Sequence, residues 1–110
     1  MPFRAILETL LATHSPAVRA AIFCDSEGEK VAAEPGDLDP YEVDVLGASM
    51  ALPAMNMKNG TRARVVFHDQ VVWIIVVDLG CYLVVSCAPG QDLACRHDFP
   101  GVAEALVAHM

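Results

Sequence analysis

Residues 71–87, VVWIIVVDLGCYLVVSC, form an almost entirely apolar run in a chain that otherwise carries charges freely, and they narrow what the chain can fold into. A membrane-spanning helix needs about 20 consecutive apolar residues. This run has seventeen, and Asp78 stands near its centre, where an ionised carboxylate costs roughly 2.5–3.5 kcal/mol on insertion scales. Asp78-Leu79-Gly80 reads instead as a turn between two strands. Both strands are apolar on both faces: Val71, Trp73, Ile75 and Val77 point one way, Val72, Ile74 and Val76 the other. Such a hairpin belongs at the centre of a sheet covered from both sides.

The segment before it predicts a third strand of the same meander. His68-Asp69-Gln70 supplies a second turn, giving antiparallel strands over about 61–68, 70–78 and 81–88. The first of these alternates, with Arg62 and Arg64 on one face and Ala63 and Val65 on the other. It reads as an edge strand guarded by charge.

Upstream, FRAILETLLATH places Phe3, Ile6, Leu7, Leu10 and Leu11 at helical spacing, with an end before Ser15-Pro16. A hairpin follows, with strands over 17–24 and 30–34 joined by Ser26-Glu27-Gly28. Asp39, Pro40 and Glu42 then mark a helix start as cap, first-turn proline and capping-box acid. That helix carries the stripe Val43, Leu46, Met50 and Met57, flanked by the small residues Gly47, Ala48, Ser49, Ala51 and Ala54. Pro53 predicts a kink or stop near Leu52. A closing helix carrying Val102 and Leu106 begins near Asp98 to Pro100.

Charge and motifs exclude several function classes. Seven Lys and Arg against fourteen Asp and Glu give a net charge of −7, with no basic cluster to meet a phosphate backbone, so nucleic acid is not an expected partner. The dispersed glycines match no P-loop or dinucleotide-binding fingerprint, and neither G-x-S-x-G nor H-E-x-x-H is present. The N-terminal stretch lacks the form of a secretion signal, which implies a cytoplasmic protein. Cys24, Cys81, Cys87 and Cys95 lack zinc-site spacing and are read as reduced, mostly buried thiols, with no metal or cofactor expected. Cys95 with His97, or Cys87 with His68, could in principle make an activated thiolate, but nothing in the sequence brings either pair together. His14, His68 and His109 read as surface or cap residues, and the acids Asp37, Asp39, Glu42 and Asp44 as helix-start carboxylates. The length fits one domain over residues 1–110.

Three local patterns carry a resemblance. AVRAAIFCDSEGEKVAA resembles the first hairpin of the Roadblock family, in which an apolar strand runs through an Asp-x-x-Gly turn into a short second strand. DPYEVDVLGASMALPAMNM is similar to that family's central helix, and RVVFHDQVVWIIVVDLGCYLVVSCAPGQDL to its three-strand meander and closing helix. Pro100-Gly101 departs from the smoother last helix usual there. The resemblance implies an α+β, profilin-like fold in the order α-β-β-α-β-β-β-α, with a five-stranded antiparallel sheet ordered 2-1-5-4-3 between helices. It also implies a homodimer joined through the third strand and central helix. The dimer contacts expected are Leu46, Met50 and Met57 on the helix and Arg64, Val65, Val66 and Phe67 on the strand. The function implied is a non-enzymatic regulator or scaffold for a small Ras-like GTPase, in signalling, polarity or motility. Two other functions stay open: a ligand- or thiol-redox-sensing module, and a scaffold subunit obligately paired with a similar chain.

Overall fold

The computed structural model describes residues 2–110. Its elements, in chain order, are helix α1 (Pro2–Thr13), strands β1 (Val18–Cys24) and β2 (Lys30–Glu34), helices α2 (Pro40–Ser49) and α3 (Ala51–Met55), strands β3 (Arg62–Val66), β4 (Val71–Asp78) and β5 (Cys81–Cys87), a 3-10 segment (Ala94–Asp98) and helix α4 (Phe99–Ala108). The five strands form one antiparallel sheet in the order β2-β1-β5-β4-β3, as the resemblance implied.

The doubly apolar hairpin sits where its composition requires. β4 pairs with β5 along its length, with Val71 opposite Cys87 and Val76 opposite Tyr82, and each is flanked by a further strand. Alternate side chains then feed two cores. Trp73, Ile75, Val77, Leu83 and Val85 pack beneath α1 and α4 with Leu7, Leu10, Phe99 and Leu106. Val72, Ile74, Val76, Tyr82 and Val84 pack beneath α2 and α3 with Val43, Leu46, Met50 and Ala54.

The turns follow from local chemistry. In the β1–β2 connection the Asp25 carboxylate accepts from the backbone N–H groups of Glu27 and Glu29, and Gly28 adopts φ +85°. The β4–β5 hairpin leaves only Leu79 and Gly80 between the paired Asp78 and Cys81, at φ 54° and 78°. Two consecutive left-handed residues suit the twist of a tight hairpin, and Asn-Gly is the preferred pair. A leucine there carries a backbone cost of about 1–2 kcal/mol, and Leu79 buries little in return, being largely exposed. Leu79→Asn is therefore expected to raise stability by about 1 kcal/mol, read as a higher urea midpoint with an unchanged slope.

The central helix starts as expected, with the Asp39 carboxylate accepting from Glu42 N–H at 2.9 Å and Pro40 in the first turn. It breaks earlier than expected, at Met50 rather than near Leu52. The cause is still Pro53. It lacks the N–H that Ser49's carbonyl would receive, and its ring crowds that carbonyl, so the disruption appears one turn upstream. Gly47 lets α2 lie close on the sheet. A Cβ there would meet Cys24 Sγ at 3.1 Å and Ile22 Cγ2 at 3.2 Å, while its carbonyl accepts from the Tyr82 hydroxyl at 2.8 Å.

The third strand is shorter than the expected 61–68. Phe67 N–H donates to Gln70 O and turns the chain at residue 67. The last helix is preceded by the 3-10 segment, and Pro100 falls in its first turn, where a missing N–H costs nothing.

Candidate functional site

The sheet has two open edges, β2 and β3, and the sequence treats them differently. β2 is five residues long, its pairing with β1 slips at Cys24 opposite Lys30, and it runs into Pro35. Arg4 of α1 also reaches across to Glu34 at 3.4 Å. A short, irregular edge with charge and proline is poorly suited to accepting another strand.

At the β3 edge the two arginines, though exposed, are engaged with other residues of this chain. Arg64 makes a two-pronged ion pair with Asp92: Nε donates to Oδ2 at 2.6 Å and Nη2 to Oδ1 at 3.0 Å. Asp92 is fully buried, and its own backbone carbonyl accepts from the Trp73 indole N–H at 3.3 Å. The hydrogen bonds from Arg64 hold the Asp92 carboxyl below the usual carboxylate range, and the same pairing raises Arg64. Arg62 lies over the rings of Trp73 and Phe99, 5.6 and 6.0 Å from their centroids, and donates to Arg96 O at 3.1 Å. Both arginines thus clamp the segment after β5 onto β3 and β4. The alternation predicted for the strand holds, but the charges bind this chain's own 92–99 segment rather than standing free as an edge guard.

What is left at this edge is apolar. Val66 is 63% exposed and Phe67 is 40% exposed. Val65 packs against the second core and lies on the α2/α3 face. On that face, Leu52 and Met55 of α3 are 68% and 73% exposed, beside the β4 strand on which α3 rests. Tyr41 and Val45 extend the exposed apolar surface along α2. The helix residues predicted as contacts are placed otherwise. Leu46 and Met50 are buried against their own sheet, and Met57 packs partly against the same core. A stripe at helical spacing marks the face that must be buried without saying whose surface buries it. The exposed Leu52 and Met55 stand one position from Ala51 and Ala54, which face the core, and so lie off the buried stripe.

The histidines and cysteines sort themselves in space. His14 pairs with Asp98, tying the end of α1 to the start of α4. Neither thiol–histidine combination forms; Cys87 faces Cys95 instead. Among the described residues, no group of three or more His, Cys, Asp or Glu side chains could hold a metal ion, and no helix is long and apolar enough to cross a membrane.

No protein-family model matches the sequence, and no curated protein matches it. The fold, by contrast, is shared with solved structures over nearly the whole chain. MglB of Myxococcus xanthus superposes with a TM-score of 0.80 at 14% identity, covering 97% of this chain and 93% of that one. MglC of the same organism superposes with a TM-score of 0.78 at 19% identity, covering 100% of both chains. A Roadblock/LC7 domain from Streptomyces avermitilis gives 0.76 at 14% identity, covering 96% of this chain and 95% of that one. The chain has the fold of the Roadblock/LC7 domain.

Proposed function

We propose that this chain is a non-enzymatic, cytoplasmic, homodimeric regulator or scaffold for a small Ras-like GTPase. The observation that carries this reading is the fold likeness to MglB and MglC, which spans the chain from end to end. The β3 edge supplies the dimer contact. Two copies meeting there around a two-fold axis would extend one sheet across the pair, with Arg64, Val65, Val66 and Phe67 at the seam. Leu52 and Met55 would add apolar contact from α3, beside the small exposed share of Leu46, Met50 and Met57. A two-fold contact uses the same patch on both copies, so each copy would contribute its β3 edge.

Such a dimer offers no nucleophile or base to a nucleotide. It acts by binding one arrangement of the GTPase's mobile loops more tightly than the others, which shifts their population. The test is binding and single-turnover GTP hydrolysis with purified Ras-like GTPases loaded with GDP or with a non-hydrolysed GTP analogue. Preferential binding to the GTP-like state with faster turnover is the regulatory outcome, and binding without faster turnover is the scaffold outcome. Failure to bind a Ras-like GTPase encoded beside this chain's gene, in both nucleotide states, contradicts the reading.

A further inference from the structure

The last strand of the sheet ends on a thiol that has a second thiol within reach. Cys87 Sγ, at the end of β5, lies 3.7 Å from Cys95 Sγ in the 3-10 segment. Both side chains are buried in the core under α1 and α4. The Cys95 thiol donates to Asp92 O at 3.1 Å, the same carbonyl that accepts from Trp73. The pair therefore sits directly beneath the Asp92–Arg64 clamp. Cys24 and Cys81 have no such arrangement, since Cys24 packs in the core under α2 and Cys81 packs against the opposite one.

We propose that Cys87 and Cys95 are a reversible dithiol–disulfide couple that locks the 92–98 segment, and with it Asp92 and Arg64, against the sheet. A disulfide needs its sulfurs about 2.0 Å apart, so they must close by under two ångströms. The short 3-10 segment can supply that movement more readily than a central strand. It is also the part that opens to admit an oxidant, because its hold on the sheet consists of a few side-chain bonds rather than a strand ladder. The oxidant fitting so enclosed a site is small: hydrogen peroxide. The Cys95 thiolate attacks one peroxide oxygen and cleaves the O–O bond, giving a sulfenic acid and, after protonation, one water. The Cys87 thiolate then attacks the Cys95 sulfur, forming the S–S bond and expelling hydroxide, which takes a proton to become the second water. Two thiols and one peroxide thus give one disulfide and two waters. That order matches the two thiols' surroundings: the Cys87 thiol can donate to a Cys95 thiolate, which lowers Cys95, whereas the same bond and burial raise Cys87. Burial pushes the Cys24 thiol up to about 11, so it is a poor competitor.

The couple stands independently of any GTPase. The test exposes the folded full chain to hydrogen peroxide, blocks remaining thiols, unfolds it, and cleaves before aspartates, which separates Cys87 from Cys95 at Asp92. The expected product is a single intramolecular Cys87–Cys95 cross-link, reversed by dithiothreitol, with Cys24 and Cys81 blocked as free thiols. Its formation should quicken about tenfold or more in Arg64→Ala, whose clamp is released. Hydrogen exchange over residues 92–96 should slow in the oxidised form. Four free thiols after prolonged exposure, or cross-links that use Cys24 or Cys81, overturn the proposal. A Cys87–Cys95 bond whose rate is the same in Arg64→Ala overturns the link to the clamp. Cys95→Ser should abolish the cross-link, and Cys81→Ser, which leaves the couple intact, should not.

Discussion

Replacing Arg64 with alanine is expected to lower stability by about 3 kcal/mol, because the substitution strands the Asp92 carboxylate in the core without a counter-charge. The lower end of the range for broken buried pairs applies, since the guanidinium itself is partly open to water. In a domain of this size the melting temperature should fall by roughly 10–20 °C. The effect has a sign in pH that separates it from simple loss of packing. The folded pKa of Asp92 is lowered by Arg64, so the pair's contribution is fully present above the unfolded value of about 3.9 and is lost as pH falls through the folded value. The gap between the native protein and Arg64→Ala should therefore be widest near neutral pH and narrow below about pH 4. Urea titrations at a series of pH values check this, and a gap independent of pH would assign the loss to packing alone.

The second large effect is expected on assembly rather than on folding. Val66→Lys places a cation on an exposed edge residue, so the monomer should keep its stability. In the proposed two-fold contact the same strand comes from both copies, so the introduced lysines add like charge to a seam that already holds both copies' Arg64. Like charges set against each other in an interface cost several kcal/mol, which weakens self-association about a hundredfold or more. Leu52→Lys should act in the same direction from the helix. Sedimentation as a function of concentration reads both variants, and circular dichroism checks that they stay folded.

How far the sequence alone reaches is visible at particular residues. The hairpin over 71–87 was legible because strict apolarity on both faces, interrupted once by Asp78-Leu79-Gly80, has few other solutions. The start of α2 was legible because a cap is chemistry between neighbours in sequence. The roles of Arg62 and Arg64 were not. Their alternation gave the correct face, but Asp92 lies 28 residues away from Arg64, and Arg96 lies 34 from Arg62, across a loop whose path periodicity does not describe. The same holds for Cys87 and Cys95. They stand 8 residues apart with no local motif, and only the return of the 3-10 segment onto the sheet brings their sulfurs together.

The helix side of the candidate surface shows the complementary lesson. Leu46 and Met50 have the spacing of a buried face, and they are buried, within their own chain. Leu52 and Met55 lie off that stripe, which continues past the break from Met50 to Ala54 and Met57, so the spacing leaves both on the outer side without saying what covers them. An exposed leucine and an exposed methionine became informative only once the fold had placed α3 beside β4.

Closure of a dimer at the β3 edge is tested most directly by sedimentation equilibrium of the unmodified chain beside Val66→Lys. A dimer for the unmodified chain at micromolar concentration, and a folded monomer for Val66→Lys, is the predicted result. A monomer for the unmodified chain across the accessible concentration range, or a dimer that Val66→Lys leaves equally tight, would contradict it.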